Sequence, residues 1–210
     1  MIKINIKNIG HKILKVFKWT FFILVGAFII LIIVRIPHVL QANKTAEQVA
    51  IIHSTKLSMD DVMGKNLPPP PGLEADKTVQ GIDANKNGIR DDVELAIFKE
   101  YPKSAKTRAV LLQYALTLQM EFMQPFVNEG IVGEVANKDD RSIFCMSEII
   151  PYGGEDGVIE AVQRYGTFVH DLQLNTGDRK TKHKEFYSYL KSGRTDELVN
   201  CDIDLSKLSN

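Results

Sequence analysis

The chain has 210 residues, 26 of them basic and 26 acidic, with a formal net charge of zero and two cysteines. That length accommodates one soluble domain and an appendage. The charge is unevenly placed. The first forty residues carry Lys3, Lys7, Lys12, Lys15, Lys18 and Arg35 and no acid, which leaves the remainder with a net charge of −6. A mildly acidic domain argues against nucleic acid as a partner.

Trp19 to Val34 is an uncharged apolar run of sixteen residues. It falls slightly short of the ~20 residues that cross the hydrocarbon of a bilayer. Val16, Phe17 and Ile36 extend it, and Lys18 and Arg35 can snorkel toward the headgroups. Five lysines precede the run and only Arg35 follows closely, which keeps the amino terminus in the cytoplasm. Trp19 suits the interface. A cleaved signal peptide needs small residues at −3 and −1, and the nearest candidate, Leu40-Gln41-Ala42, offers leucine at −3. The run therefore reads as a retained signal anchor. Residues 1–18 form a basic cytoplasmic tail, 19–36 the lipid-embedded anchor, 37–80 a helical stalk and Pro-rich linker, and 81–210 an extracytoplasmic, periplasm-type domain.

Within the stalk, residues 45–56 read as a helix with Ala46, Val49, Ala50 and His53 on one face. His53 there is a packing residue rather than a ligand. Residues 58–63 suit a short helical turn ended by Gly64. Leu67-Pro68-Pro69-Pro70-Pro71-Gly72 then predicts an exposed polyproline spacer.

The strongest chemical signal follows. Read from Asp83, side-chain oxygens fall at positions 1, 3, 5, 9 and 12 of a twelve-residue loop, through Asp83, Asn85, Asn87, Asp91 and Glu94. Ile89 at position 7 offers its backbone carbonyl, and Gly88 at position 6 suits a sharp reversal. Hard oxygen donors at this spacing suit Ca²⁺. The competing reading is an Asx-rich turn that caps the helix starting near Asp91. The stretch resembles EF-hand-type loops, with Arg90 standing where paired EF-hands carry an aliphatic residue at position 8. No second loop of the kind occurs. The pattern is closer to the solitary loops of thrombospondin type 3-like repeats and bacterial extracytoplasmic proteins, a resemblance that implies calcium and no activity.

Beyond the loop the chain reads as all-α. Helices are expected over residues 91–101, stopped by Pro102, and from Ser104 to about 124. The second shows a wide apolar stripe of Val110, Leu111, Tyr114, Ala115, Leu118, Phe122 and Met123. Met120 and Met123 read as core filling. Asp139 or Asp140 can cap a further helix through Phe144 to 149. Gly153-Gly154-Glu155-Asp156-Gly157 suits a loop and cap. Helices follow at about 158–172, with Gly166 a weak spot, and at 180–190. The basic run from Arg179 to Lys184 reads as a solvated helix start.

Cys145 and Cys201 have one intramolecular pairing, and an oxidising compartment favours a disulfide between them. A zinc site using both thiols with His170 and His183 lacks the close ligand pairs such sites use. His170 and Asp171 are adjacent, so they do not make a base and its orienter. Glu148, Glu155, Glu160 and Asp171 are the acids a glycan-type hydrolysis would draw on. The sequence thus predicts a membrane-anchored, calcium-binding, non-enzymatic accessory protein that binds an envelope protein. The alternative is a cell-envelope hydrolase with paired carboxylates in a helical cleft.

Overall fold

A computed structural model describes residues 6–151, 154–191 and 201–209. The first five residues of the basic tail and Gly153 of the glycine loop lie outside them, and the side chains of residues 6–13 are likewise not described. Among the described residues all regular structure is helical, with no strand. The chain divides into two compact units, residues 1–47 and 48–210.

The first unit consists of helix α1 (Ile6–Ser54), whose last turns, from Gln48, belong to the second unit. From Leu14 onward α1 has the length and apolar composition of a membrane-crossing helix, with a mean hydropathy of 2.6 in its most apolar window. Trp19, Phe21, Phe22 and Ile23 to Val25 are exposed. Helix is continuous across Pro37, which lies inside α1. Proline forfeits one hydrogen bond there and clashes with the preceding turn, but the helix continues on both sides of it. The expected packing face near residue 50 is also shifted. Ile52 is the buried residue, whereas Ala50 and His53 are exposed. His53 instead pairs with Glu134 at 2.7 Å.

In the second unit, α2 (Met59–Met63) opens on a capping box between Ser58 and Asp61 and closes on left-handed Gly64. Pro68 is buried while Pro69 and Pro70 are exposed, so the spacer is anchored at its first proline. A 3-10 turn over Gly72–Asp76 follows. Helices α3 (Asp91–Glu100) and α4 (Ala105–Met123) come next, α4 capped by Ser104. Helix α5 (Glu129–Ser147) is capped by Asn128, which puts Asp139 and Asp140 mid-helix and corrects their reading as caps. Helix α6 (Gly154–Ala161) begins inside the expected glycine loop. It runs through a π turn, Val162–Gly166, into α7 (Thr167–Gln173). The weak spot at Gly166 is thus where the helix changes its winding. Helix α8 (Gly177–Tyr187) is capped by Thr176, three residues earlier than the sequence suggested.

Helix α4 is the axis on which α2, α3, α5, α7 and α8 pack. It is buried almost all round rather than along one stripe. Val110, Leu111, Leu112, Ala115, Leu116 and Leu118 fill the core, the valine and each leucine worth about 1.5–3 kcal/mol of transfer free energy on burial. Met120 joins them, but Met123 is 53% exposed and is not core filling. The polar residues of α4 are buried because neighbouring backbone needs them. Arg108 donates to the carbonyls of Val62, Tyr101 and Pro102. Gln113 Oε1 accepts from the Asp202 N–H, and Gln119 donates to the Gln80 carbonyl. A buried carbonyl without a donor costs ~1–3 kcal/mol, so these side chains let an irregular segment lie against the core.

Cys145 and Cys201 are disulfide-bonded, with Cα atoms 4.9 Å apart. The bridge ties residues 201–209 to α5, and Leu208 of that segment is buried.

Candidate metal centre

The loop between the 3-10 turn and α3, together with the first turn of α3, carries the six residues singled out by spacing. Helix α3 has no side-chain cap, because its N-cap residue is Arg90. The Asp and Asn side chains turn instead onto the loop's own backbone. Asp83 accepts from the Asn87 N–H at 3.2 Å and the Gly88 N–H at 2.9 Å. Asn85 Oδ1 accepts from Asn87 N–H at 3.4 Å, and Asn87 Oδ1 accepts from Ile89 N–H at 2.9 Å. Asp91 Oδ1 accepts from Ala84 N–H at 2.9 Å. These bonds are the Asx turns of the competing reading, whereas its helix cap is not formed, since no side chain caps α3. Ile89 packs its side chain into the core.

Lys86 and Gly88 both adopt positive φ, 59° and 85°, which folds the loop tip tightly. A Cβ on Gly88 would stand 2.7 Å from Leu116 Cδ1, so the tip is pressed against α4.

Asp91 and Glu94 are fully buried. Asp91 Oδ2 and Glu94 Oε1 have no hydrogen-bond partner, while Glu94 Oε2 accepts from Asn85 Nδ2 at 3.0 Å. Burial pushes the Glu94 carboxyl up to about 7, reinforced by the charges of Asp61 and Asp91. Burial likewise raises Asp91, with Asp83 and Asp92 acting in the same sense. A carboxylate in low dielectric without a counter-charge is held at high free energy.

Two neighbours were invisible in the spacing. Arg90, which departs from the paired EF-hand pattern, is fully buried. It forks onto Asp92 at 2.6 and 2.9 Å and donates to the carbonyls of Leu172 and Gln173. It is a strut between the loop and the end of α7. From α2, Asp61 Oδ1 lies 3.5 Å from Asn87 Nδ2, and the Asn66 carbonyl accepts from Asn85 Nδ2 at 2.9 Å. Nothing in the sequence marked Asp61, because it sits 22 residues before Asp83 in a different element. Among the described residues, no three His, Cys, Asp or Glu side chains are gathered as a metal-holding group.

Arg179 corrects the reading of the basic run as solvated. Its side chain is fully buried, pairs with Asp76, and donates to the carbonyls of Ala75, Thr78 and Val79. It holds the approach to the loop.

A second polar cluster lies between α4, α5 and α8. His183 Nδ1 meets Glu121 Oε2 at 2.6 Å, and the Glu121 side chain is fully buried. Burial raises the Glu121 carboxyl and its hydrogen bond raises the His183 imidazole. Asp139 is pushed up to about 7, by burial first and then by Glu121 and Asp140. His183 and His170, with rings 6.0 Å apart, line an open cavity of about 610 Å³ together with Asp171, Leu174, Asn175 and Lys180. His170 and Asp171 approach only to 3.8 Å. With both cysteines bonded to each other, neither thiol can join these histidines on zinc.

No protein-family model, curated protein or solved structure matches this chain.

Proposed function

We propose that the protein is a membrane-anchored calcium-binding accessory protein whose helical domain works outside the cytoplasm on an envelope protein partner. The calcium would be held by Asp83, Asn85, Asn87, the Ile89 carbonyl, Asp91 and Glu94. The observation that carries this reading is the pair of fully buried, unpartnered carboxylate oxygens, Asp91 Oδ2 and Glu94 Oε1, in one loop. A divalent cation offsets their desolvation, and the neutral Asn donors complete an oxygen shell of hard-cation type. Such a site, with three carboxylates, belongs to the ~10⁻⁴–10⁻³ M affinity range of extracellular modules.

The anchor reading draws support from α1, and the lysine asymmetry supports a cytoplasmic amino terminus. The disulfide supports an oxidising compartment. The hydrolase alternative draws less support: among the described residues lining the cavity of about 610 Å³, Asp171 is the single acid.

The test is thermal unfolding of the full chain in detergent micelles, in millimolar calcium and in chelator. Asp83→Ala and Glu94→Gln should melt lower than the parent in calcium. In chelator Glu94→Gln should equal or exceed it, because an uncompensated buried charge is removed. Equal melting of both variants and the parent in calcium would overturn the assignment.

A further inference from the structure

Resting on that reading, we propose that Asp61 is a fourth carboxylate in the field of the same calcium ion, through which ion occupancy seats residues 58–66 against the loop. The segment before the loop would then be a calcium-dependent latch rather than passive spacer.

Three observations place Asp61 there. Its Oδ1 lies at the outer limit of hydrogen-bond reach of Asn87 Nδ2, 3.5 Å away, while Oδ2 is taken by the Ser58 N–H and hydroxyl. Glu94, one of the two acids with an unpartnered buried oxygen, accepts at its other oxygen from Asn85 Nδ2, the same group that reaches residue 66. A few residues on, the Asn66 carbonyl is held by Asn85, a loop donor at position 3. The segment thus touches the proposed shell at two points, and at the first of them it presents a negative charge.

The consequence follows from Coulomb's law. When ionised, Asp61, Asp83, Asp91 and Glu94 repel one another, and close pairs near a protein surface do so by kilocalories rather than tenths. The segment is also held by buried Val62, by the Arg108 bond to its carbonyl and by the packing of α2 on α4. With the ion present the same charges become attractive to a common centre. Occupancy therefore sets how firmly residues 58–66 are held against the loop. Position in the chain gives this meaning, because the segment joins α1 to the helical body.

The experiment combines calcium titration calorimetry with amide hydrogen exchange on the full chain in nanodiscs, with calcium or chelator. Asp61→Asn keeps a side-chain oxygen for Ser58 and removes the charge. Asp60→Asn, an exposed acid paired with Lys65 at 2.6 Å, is the charge control. Calcium should slow exchange at residues 58–66 in the parent and in Asp60→Asn. In Asp61→Asn that calcium dependence should vanish and the calcium Kd should rise about fivefold or more. Unchanged affinity with calcium-dependent exchange intact in Asp61→Asn would overturn the inference and leave the calcium site standing. Failure of the parent to bind calcium at all would instead overturn the underlying reading.

Discussion

Asp139 shows how a single side chain sets a pH dependence. It lies mid-helix in α5 with Oδ1 buried and unpartnered, and its carboxyl is pushed from 3.8 to about 7. The folded value lies above the unfolded one, so the native state holds the proton more tightly. Stability from this group is present at the acid end and is lost as pH rises from about 4 to about 7. Glu121, raised by burial, acts in the same direction. His183 does too: its raised imidazole stabilises the fold below its unfolded value, and that gain is lost as pH rises through the folded one. The melting temperature in saturating calcium should therefore drop by about 5 °C between roughly pH 5.5 and pH 8. Asp139→Asn should flatten the drop in a calorimetric pH series. At the loop tip, Gly88→Ala meets both a positive φ and Leu116. A loss of ~1–3 kcal/mol is expected by urea unfolding, with weaker calcium binding.

At the scale of elements, α4 explains why amphipathic reasoning recovered its existence and misjudged its environment. Periodicity finds a stripe only when one side meets water, and here α2, α3, α5, α7 and α8 surround it. Its buried polar residues are satisfied by groups that periodicity does not register, among them the Val62 and Gln80 carbonyls, the Asp202 N–H and His183. The loop–α7 contact has the same character. Arg90 satisfies two α7-end carbonyls and Asp92 through one planar fork, a geometry an ammonium cannot reproduce. Arg90→Lys should cost ~2–4 kcal/mol in denaturant unfolding and loosen amide protection at Leu172–Leu174.

For the whole molecule, the disulfide sets how the carboxyl-terminal segment stays on the helical body. It closes a sequence separation of 56 residues, for which the chain-entropy estimate is ~4 kcal/mol. Cys201→Ser, or reduction of the parent, should lower stability by ~2–4 kcal/mol and release residues 201–209 to proteolysis. Native protein should give no thiol labelling until reductant is added.

By itself the sequence determined the apolar amino-terminal helix, the all-helical class, the Cys145–Cys201 pairing and the oxygen spacing of the loop. Each is written in local order, in residue count, or in a pairing with no competitor. Only the tertiary structure decided that Arg90 and Arg179 are buried struts and that His183 faces Glu121. It also decided that Asp61 stands beside Asn87 and that Asp91 and Glu94 each bury one oxygen without a partner. These are properties of burial and of contacts across long stretches of chain, where the same charged residue in water would look no different in sequence.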